Sequence, residues 1–207
     1  MTIGGVEFDL KLTLIIILSV VLPMIDYFQH RITGTKAYDR LILYFVIPMV
    51  IIILLFRDRP ADYGFVIGDW RTGLKWTLIG SAGMAIILYF LARTPAMQRF
   101  YDAKAPENTL YLIYITAADL FGWEFMWRGF VLFGLAAVIG PGPAIWLQAV
   151  PFAFMHLGKP EVETFSTIFG GAALGFVAWQ SGSFLYPFLI HWFIASFTML
   201  VASGRIG

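Results

Sequence analysis

Residues 41–56, LILYFVIPMVIIILLF, form an uninterrupted apolar run that is bounded by Arg40 and Arg57. A helix needs about 20 mostly apolar residues to cross a bilayer, because each residue rises about 1.5 Å against a hydrocarbon core of about 30 Å. The run and its flanking residues therefore predict a membrane-spanning helix.

Comparable apolar runs recur along the chain, at residues 10–25, 73–91, 110–139, 144–157, 165–179 and 184–201. We predict an all-α fold, a polytopic transmembrane helical bundle of about seven spans, with a range of six to eight because short apolar runs are ambiguous. The segment 110–139 is too long for one level crossing, so we expect it to be tilted, kinked or partly outside the membrane. No linker or repeat divides the chain, and residues 1–207 are interpreted as a single integral membrane domain.

The composition supports this interpretation. Hydrophobic residues make up 59% of the chain and charged residues only 13%, and the mean hydropathy is +0.79. Such a chain lacks the polar surface of a soluble protein, so we predict a multi-pass protein of the plasma membrane in contact with lipid. The 14 Lys and Arg residues are scattered, which argues against a nucleic-acid partner. Cysteine is absent, which excludes disulfides and cysteine nucleophiles.

Three charged side chains lie where the apolar pattern predicts none. Between Glu107 and Lys159, the only charged residues are Asp119, Glu124 and Arg128. An ionisable group in the bilayer core costs at least about 2.5–3.5 kcal/mol on insertion scales, so each needs a partner or a function. Glu124 and Arg128 are four residues apart, which places them on one helix face in the favourable order for an ion pair.

Two histidines also fall in apolar segments. His156 follows Phe152-Ala153-Phe154-Met155, and His191 lies within the last predicted span. A single buried histidine is usually a hydrogen-bonded packing residue. Two histidines and a carboxylate on three helices would form a general acid–base set if they converge, with one pair activating water and the second imidazole stabilising an oxyanion.

These residues occur in three short motifs. They are Trp123-Glu124-Phe125-Met126-Trp127-Arg128-Gly129, then Phe152-Ala153-Phe154-Met155-His156, then His191 in a late helix. Together they resemble the CPBP family, which comprises the CAAX proteases and the bacteriocin-processing or self-immunity proteins, also called the Abi family. The family pattern is Glu-Glu-x-x-x-Arg, Phe-x-x-x-His and His-x-x-x-Asn on membrane helices. The motif-bearing core would span about residues 109–202.

The resemblance implies roles for individual residues. The second Glu and the Arg of the first motif fall on Glu124 and Arg128, and the two motif histidines fall on His156 and His191. The resemblance therefore implies that the catalytic residues are Glu124, Arg128, His156 and His191. The first Glu of the family pattern, which activates water with the middle histidine, falls on Trp123, and the Asn that assists the oxyanion falls on Ala195.

These two departures leave three interpretations open. Glu124 could itself serve as the base beside His156. Asp119, one helical turn before Trp123, could supply the missing carboxylate, although we favour a helix-boundary role near the interface for Asp119. Alternatively, the site is inactive and the protein binds its partner without cutting it.

We predict an intramembrane endopeptidase of the CPBP type, a hydrolase that cleaves a membrane-associated peptide or protein with water activated by a carboxylate and a histidine. The alternative is a catalytically inactive CPBP-like protein that acts in binding or bacteriocin-type immunity. No His-Glu-x-x-His spacing or similar metal-binding pattern is present, so we expect no metal and no other cofactor.

We expect Glu161 and Glu163 to form a solvated turn and helix start, and Gly171 and Gly175 to allow close helix contact inside the bundle.

Overall fold

A computed structural model describes residues 2–28 and 32–206. These residues form a helical bundle that is preceded by a short antiparallel hairpin of β1 (Thr2–Ile3) and β2 (Val6–Glu7), with Thr2 opposite Glu7. The described helices are α1 (Leu10–Tyr27), α2 (Lys36–Phe56), α3 (Trp70–Leu91), α4 (Pro95–Tyr101), α5 (Thr109–Ile139), α6 (Pro141–Phe154), α7 (Glu161–Ser181) and α8 (Leu185–Ala202).

Six helices in the described part of the chain are long and apolar enough to cross a membrane: α1, α2, α3, α5, α7 and α8. The predicted polytopic helical bundle is confirmed, with a span count at the lower end of the expected range. The apolar run 144–157 corresponds to α6, which has only 14 residues. At about 21 Å, α6 is shorter than one level crossing of the hydrocarbon core.

Helix α5 is the centre of the bundle. In its most apolar stretch of 18 residues, 78% is buried inside the protein, whereas only 6% of the equivalent stretch of α3 is buried. The 31 residues of α5 are continuous, but the stretch Phe125–Val131 is π-helical rather than α-helical. Helix α2 contains two further π-helical stretches, Ile42–Val46 and Ile51–Phe56. The stretch in α5 begins directly after Glu124 and contains Arg128.

Local sequence explains where several helices begin. The side chain of Asn108 accepts a hydrogen bond from the Tyr111 backbone N–H at 2.9 Å, and Asp69 accepts one from the Arg71 N–H at 3.0 Å. Each side chain satisfies a backbone donor that the first helical turn leaves without a partner. Asn108 therefore starts α5, and Asp69 starts α3.

Helices α6 and α7 approach closely through two glycines. A Cβ atom added to Gly171 would lie 2.9 Å from the Phe152 ring, and one added to Gly175 would lie 2.6 Å from Nε2 of Gln148. The same Gln148 Nε2 donates to the Gly171 carbonyl at 2.9 Å. This contact between two helices of one bundle is the one that the glycine spacing predicts, and it holds α7 against the helix that leads to His156.

Candidate functional site

Glu124 and Arg128 form an ion pair at the centre of the bundle. Both side chains are fully buried on α5, and Arg128 Nη1 lies 3.1 Å from Glu124 Oε1. Burying either charge alone would cost several kcal/mol, which the mutual attraction offsets. The ion pair that the i, i+4 spacing predicts is therefore present, in a fully dehydrated setting.

His191, on α8, reaches the same carboxylate. Its Nδ1 lies 2.6 Å from Glu124 Oε1, so this one oxygen contacts both Arg128 and His191. Because a carboxylate accepts hydrogen bonds, Nδ1 of His191 carries the proton and Nε2 is the nitrogen left for other contacts. The structure thus brings together three of the four predicted site residues, from two helices.

Arg128 has further contacts that fix its position. Its Nη2 donates to the Gly171 carbonyl at 3.5 Å, and its guanidinium lies over the Phe152 ring at 3.9 Å from the centroid. A cation over an aromatic face is stabilised by the ring quadrupole, most strongly where water is excluded. Arg128 therefore ties α5 to α6 and α7 as well as to Glu124.

His156 occupies the turn that follows α6, outside the six long apolar helices. Its Nδ1 lies 2.8 Å from the Phe152 carbonyl oxygen. A backbone carbonyl can only accept, so Nδ1 carries the proton and Nε2 of the neutral ring is a free base. Burial lowers the pKa of His156 to about 2, with a smaller contribution from the positive charge of Lys159. The imidazole is therefore neutral at physiological pH.

The Trp123 side chain packs against His156, Phe152 and Arg40. Its ring lies edge-on to the His156 ring, with 6.0 Å between centroids, and contacts the Phe152 ring at 5.9 Å. The guanidinium of Arg40 lies 4.5 Å from the Trp123 ring centroid. The position that carries a glutamate in the family pattern is here an aromatic wall beside His156.

Asp119 belongs to a charge cluster that the sequence did not indicate. Arg40 Nη1 lies 3.1 Å from both carboxylate oxygens of Asp119, and Arg40 Nη2 lies 2.8 Å from Asp26 Oδ2. Tyr44 donates a hydrogen bond to the same Asp26 oxygen at 3.1 Å. Both oxygens of Asp119 are thus engaged by Arg40, and the cluster joins α1, α2 and α5 beside Trp123.

A cavity of about 450 Å³ lies beside the two histidines, His156 and His191. Its walls include Asp119, Trp123, His156, His191 and Ala195. Glu124 and Arg128 do not line this cavity, because both are fully buried behind its wall. The two histidines therefore face a space that a ligand can enter, and the ion pair supports one of them from behind.

A second cavity of about 330 Å³ lies on the other side of the histidines, between α3, α7 and α8. It shares His156, Lys159, His191 and Ala195 with the first, while its remaining wall is largely apolar, with side chains such as Leu88. These four residues separate the polar cavity from the apolar one.

Glu163 has a local structural role. It pairs with Lys159 at 2.6 Å and accepts a hydrogen bond from the Tyr101 hydroxyl at 2.6 Å. Glu161 and Glu163 lie in the first turn of α7, where a carboxylate interacts favourably with the helix dipole.

Within residues 2–28 and 32–206, no three His, Asp or Glu side chains are grouped closely enough to hold a metal ion.

The lowered pKa of His156 predicts an acid-sensitive fold. The pKa of His156 is about 6.5 in the unfolded chain and about 2 in the folded protein. Between these two pH values the unfolded chain binds a proton that the native state does not, so the stability of the fold decreases as the pH falls. At pH 5 the expected loss from this group is about 2 kcal/mol. This loss of stability is measured from the melting temperatures in detergent at pH 7.5 and pH 5. His156→Gln, which lacks the titrating imidazole, is the control. An equal fall in both proteins would contradict the prediction.

Comparison with known proteins finds one matching family model. Residues 105–197 match the family model described as type II CAAX prenyl endopeptidase Rce1-like. This range contains the motifs around Glu124, His156 and His191. No curated protein and no solved structure gives a significant match.

Proposed function

Since residues 105–197 are the core of a CAAX-protease-type membrane protein of the CPBP family, we propose that this core is an intramembrane peptidase of the plasma membrane. It hydrolyses a peptide bond in a membrane-associated peptide or protein. The observation that carries the proposal is the arrangement of the two imidazoles. His156 and His191 line one cavity, and each has its Nδ1 held by a buried acceptor.

His156 is the proposed general base. Its Nδ1 donates to the Phe152 carbonyl, which leaves the lone pair of Nε2 as the proton acceptor of the ring. Nε2 accepts a proton from water, the hydroxide attacks the scissile carbonyl carbon, and the proton then passes to the leaving nitrogen as the C–N bond breaks.

His191 is the proposed partner of the scissile carbonyl oxygen. When Nε2 of His191 is protonated, it donates to the oxyanion that forms during attack, and the Glu124 carboxylate at Nδ1 stabilises the resulting imidazolium. Glu124 acts through His191 and is a positioning residue, since it is excluded from the cavity. Arg128 pairs with Glu124 and holds its carboxylate in place in the buried site.

Peptide cleavage by the purified protein tests this proposal. Wild-type protein in detergent is incubated with a peptide library, and products are identified by mass spectrometry. We expect His156→Ala and Glu124→Gln to lose cleavage. Phe154→Ala, which removes an exposed ring two residues earlier and outside the cavity, is expected to retain it.

Two outcomes would contradict the proposal. Equal cleavage by the wild type and His156→Ala would show that another group activates water. A wild-type protein that binds peptides without cutting them would identify a silent CPBP-like binding protein. Cleavage that persists with excess EDTA is expected for water activated by histidine rather than by a metal ion.

A further inference from the structure

Thr116 is a polar side chain in the wall of the cavity beside the two histidines. It lies on α5, seven residues before Trp123, and both residues line the cavity of about 450 Å³. A separation of seven residues is close to two helical turns, so the two side chains lie on one face of α5. Thr116 is only 7% exposed, and its hydroxyl therefore belongs to the inner wall of the cavity rather than to the protein surface.

The hydroxyl of Thr116 has no protein partner in the described part of the chain. A threonine inside a helix commonly donates to the carbonyl four residues earlier. Thr77 and Thr167 do so, at 2.9 Å and 2.6 Å. Because a buried polar group normally forms a hydrogen bond, the Thr116 hydroxyl is available to a ligand in the cavity.

The packing of α5 against the last part of the chain fixes the level of Thr116. The two segments run antiparallel, since Thr109 contacts Arg205 and Phe121, farther along α5, packs on Phe188, farther back along the chain. Thr116 lies just past the middle of the α5 stretch 109–121. It is therefore level with the residue just past the middle of the facing stretch, counted back from Arg205.

Ala195 is the residue at that level on α8. It follows His191 by four residues, so the two lie on one face of α8, and both line the cavity with Thr116. The Trp192 indole donates to the Ile113 carbonyl at 2.9 Å, which holds α8 against α5 beside these residues. The methyl group of Ala195 has no hydrogen-bond donor, whereas the hydroxyl across the cavity from it has one.

We propose that Thr116 is a catalytic residue whose hydroxyl donates a hydrogen bond to the scissile carbonyl oxygen, beside the hydrogen bond from His191. Both donors stabilise the oxyanion that forms when water attacks. The family pattern has an Asn at the position of Ala195 for this purpose, and here the donor comes from the facing helix. The inference rests on the proposed function, because it assigns a second donor to the same reaction.

The kinetics of Thr116 variants test this role. Thr116→Val removes the hydroxyl at nearly constant volume, and Thr116→Ser keeps it. We expect Thr116→Val to lower kcat on the best library peptide by about 10²–10³-fold with little change in KM, as for the loss of one oxyanion donor. Thr116→Ser should keep most of the rate. The control Thr77→Val removes a hydroxyl that bonds within α3, outside both cavities beside the histidines, and should leave kcat unchanged.

Binding of paired peptide analogues tests the same hydrogen bond without turnover. Each peptide bond of the most tightly bound library peptide is replaced in turn by a phosphinate, which carries a tetrahedral oxyanion, or by an uncharged ketomethylene group. We expect the wild type to bind the phosphinate more tightly than the ketomethylene analogue at one position. Thr116→Val should reduce this preference about tenfold, as for a lost hydrogen bond to a charged group, and Thr116→Ser should keep it.

Three outcomes would overturn the proposal. They are a Thr116→Val variant that matches the wild type in kcat or in phosphinate preference, a Thr116→Ser variant that loses both as Thr116→Val does, and a wild type without any phosphinate preference. A phosphinate preference that depends on the Thr116 hydroxyl in a protein that cuts no peptide would refute the proposed hydrolysis and support the contact of Thr116 with the oxyanion.

Discussion

Replacing Arg128 with Met is expected to destabilise the protein by about 3–5 kcal/mol, because it leaves the buried Glu124 carboxylate without its cation. Both side chains are fully buried and lie 3.1 Å apart, so water cannot compensate for the lost charge. His191 would remain as the contact of Glu124 Oε1, so the carboxylate would keep one of its two partners and lose the Arg128 guanidinium. Unfolding of the purified protein by sodium dodecyl sulfate titration in mixed micelles measures the loss.

A double variant separates the charge effect from lost packing. Adding Glu124→Gln to Arg128→Met removes the uncompensated carboxylate, so most of the lost stability should return. Lys75→Met, at an exposed site on α3, is the control for the same loss of charge and is expected to change stability by less than about 0.5 kcal/mol. A double variant as unstable as Arg128→Met would show that Arg128 stabilises the bundle mainly through Phe152 and Gly171.

The second large effect is expected at Trp123. Replacing Trp123 with Glu should raise the rate of peptide hydrolysis by about 10²–10⁴-fold, because it places a carboxylate beside His156 where the family pattern has one. The Trp123 ring is 6.0 Å from the His156 ring between centroids and lines the same cavity. Arg40, now over the ring at 4.5 Å, would lie near the new carboxylate. Initial rates on the best library peptide measure the gain.

Trp123→Gln is the matched control for this variant. It removes the same ring and leaves a side chain of the same length as Glu without the charge. Both variants lose the contacts of Trp123 with Tyr44 and Phe152, so their melting temperatures should fall by similar amounts. If Trp123→Glu is no faster than Trp123→Gln, position 123 does not act as the family glutamate does.

The helical bundle and the Glu124–Arg128 pair could be predicted because both depend on local spacing. A run of apolar residues predicts a span, and a separation of four residues predicts one helix face. The contact between His191 and Glu124 was expected only as a convergence of motifs, because 67 residues separate the two side chains. The fixed Nδ1 of His156 could not be predicted, since its acceptor is a backbone carbonyl whose position follows from the turn after α6.

The cluster around Arg40 shows where sequence reasoning fails for a physical reason. Arg40 borders an apolar run and has the sequence pattern of an ordinary interfacial charge. Its partners Asp26 and Asp119 are 14 and 79 residues away, and the packing of α2 against α1 and α5 joins them. A Cβ atom on Gly122 would lie 2.7 Å from the Arg40 carbonyl oxygen, so a glycine at that position permits the approach.

The π-helical stretch Phe125–Val131 makes the site depend on the rotational phase of α5. Each residue of an α-helix turns the chain by about 100°, so one residue more or less rotates everything beyond it by that angle. Deleting a single residue from this stretch would leave the chemistry of every remaining side chain unchanged. It would still turn the faces of α5 before and after the stretch relative to each other and separate Arg128 from Gly171. The site is therefore as sensitive to insertions and deletions in this stretch as to the identity of its charged residues.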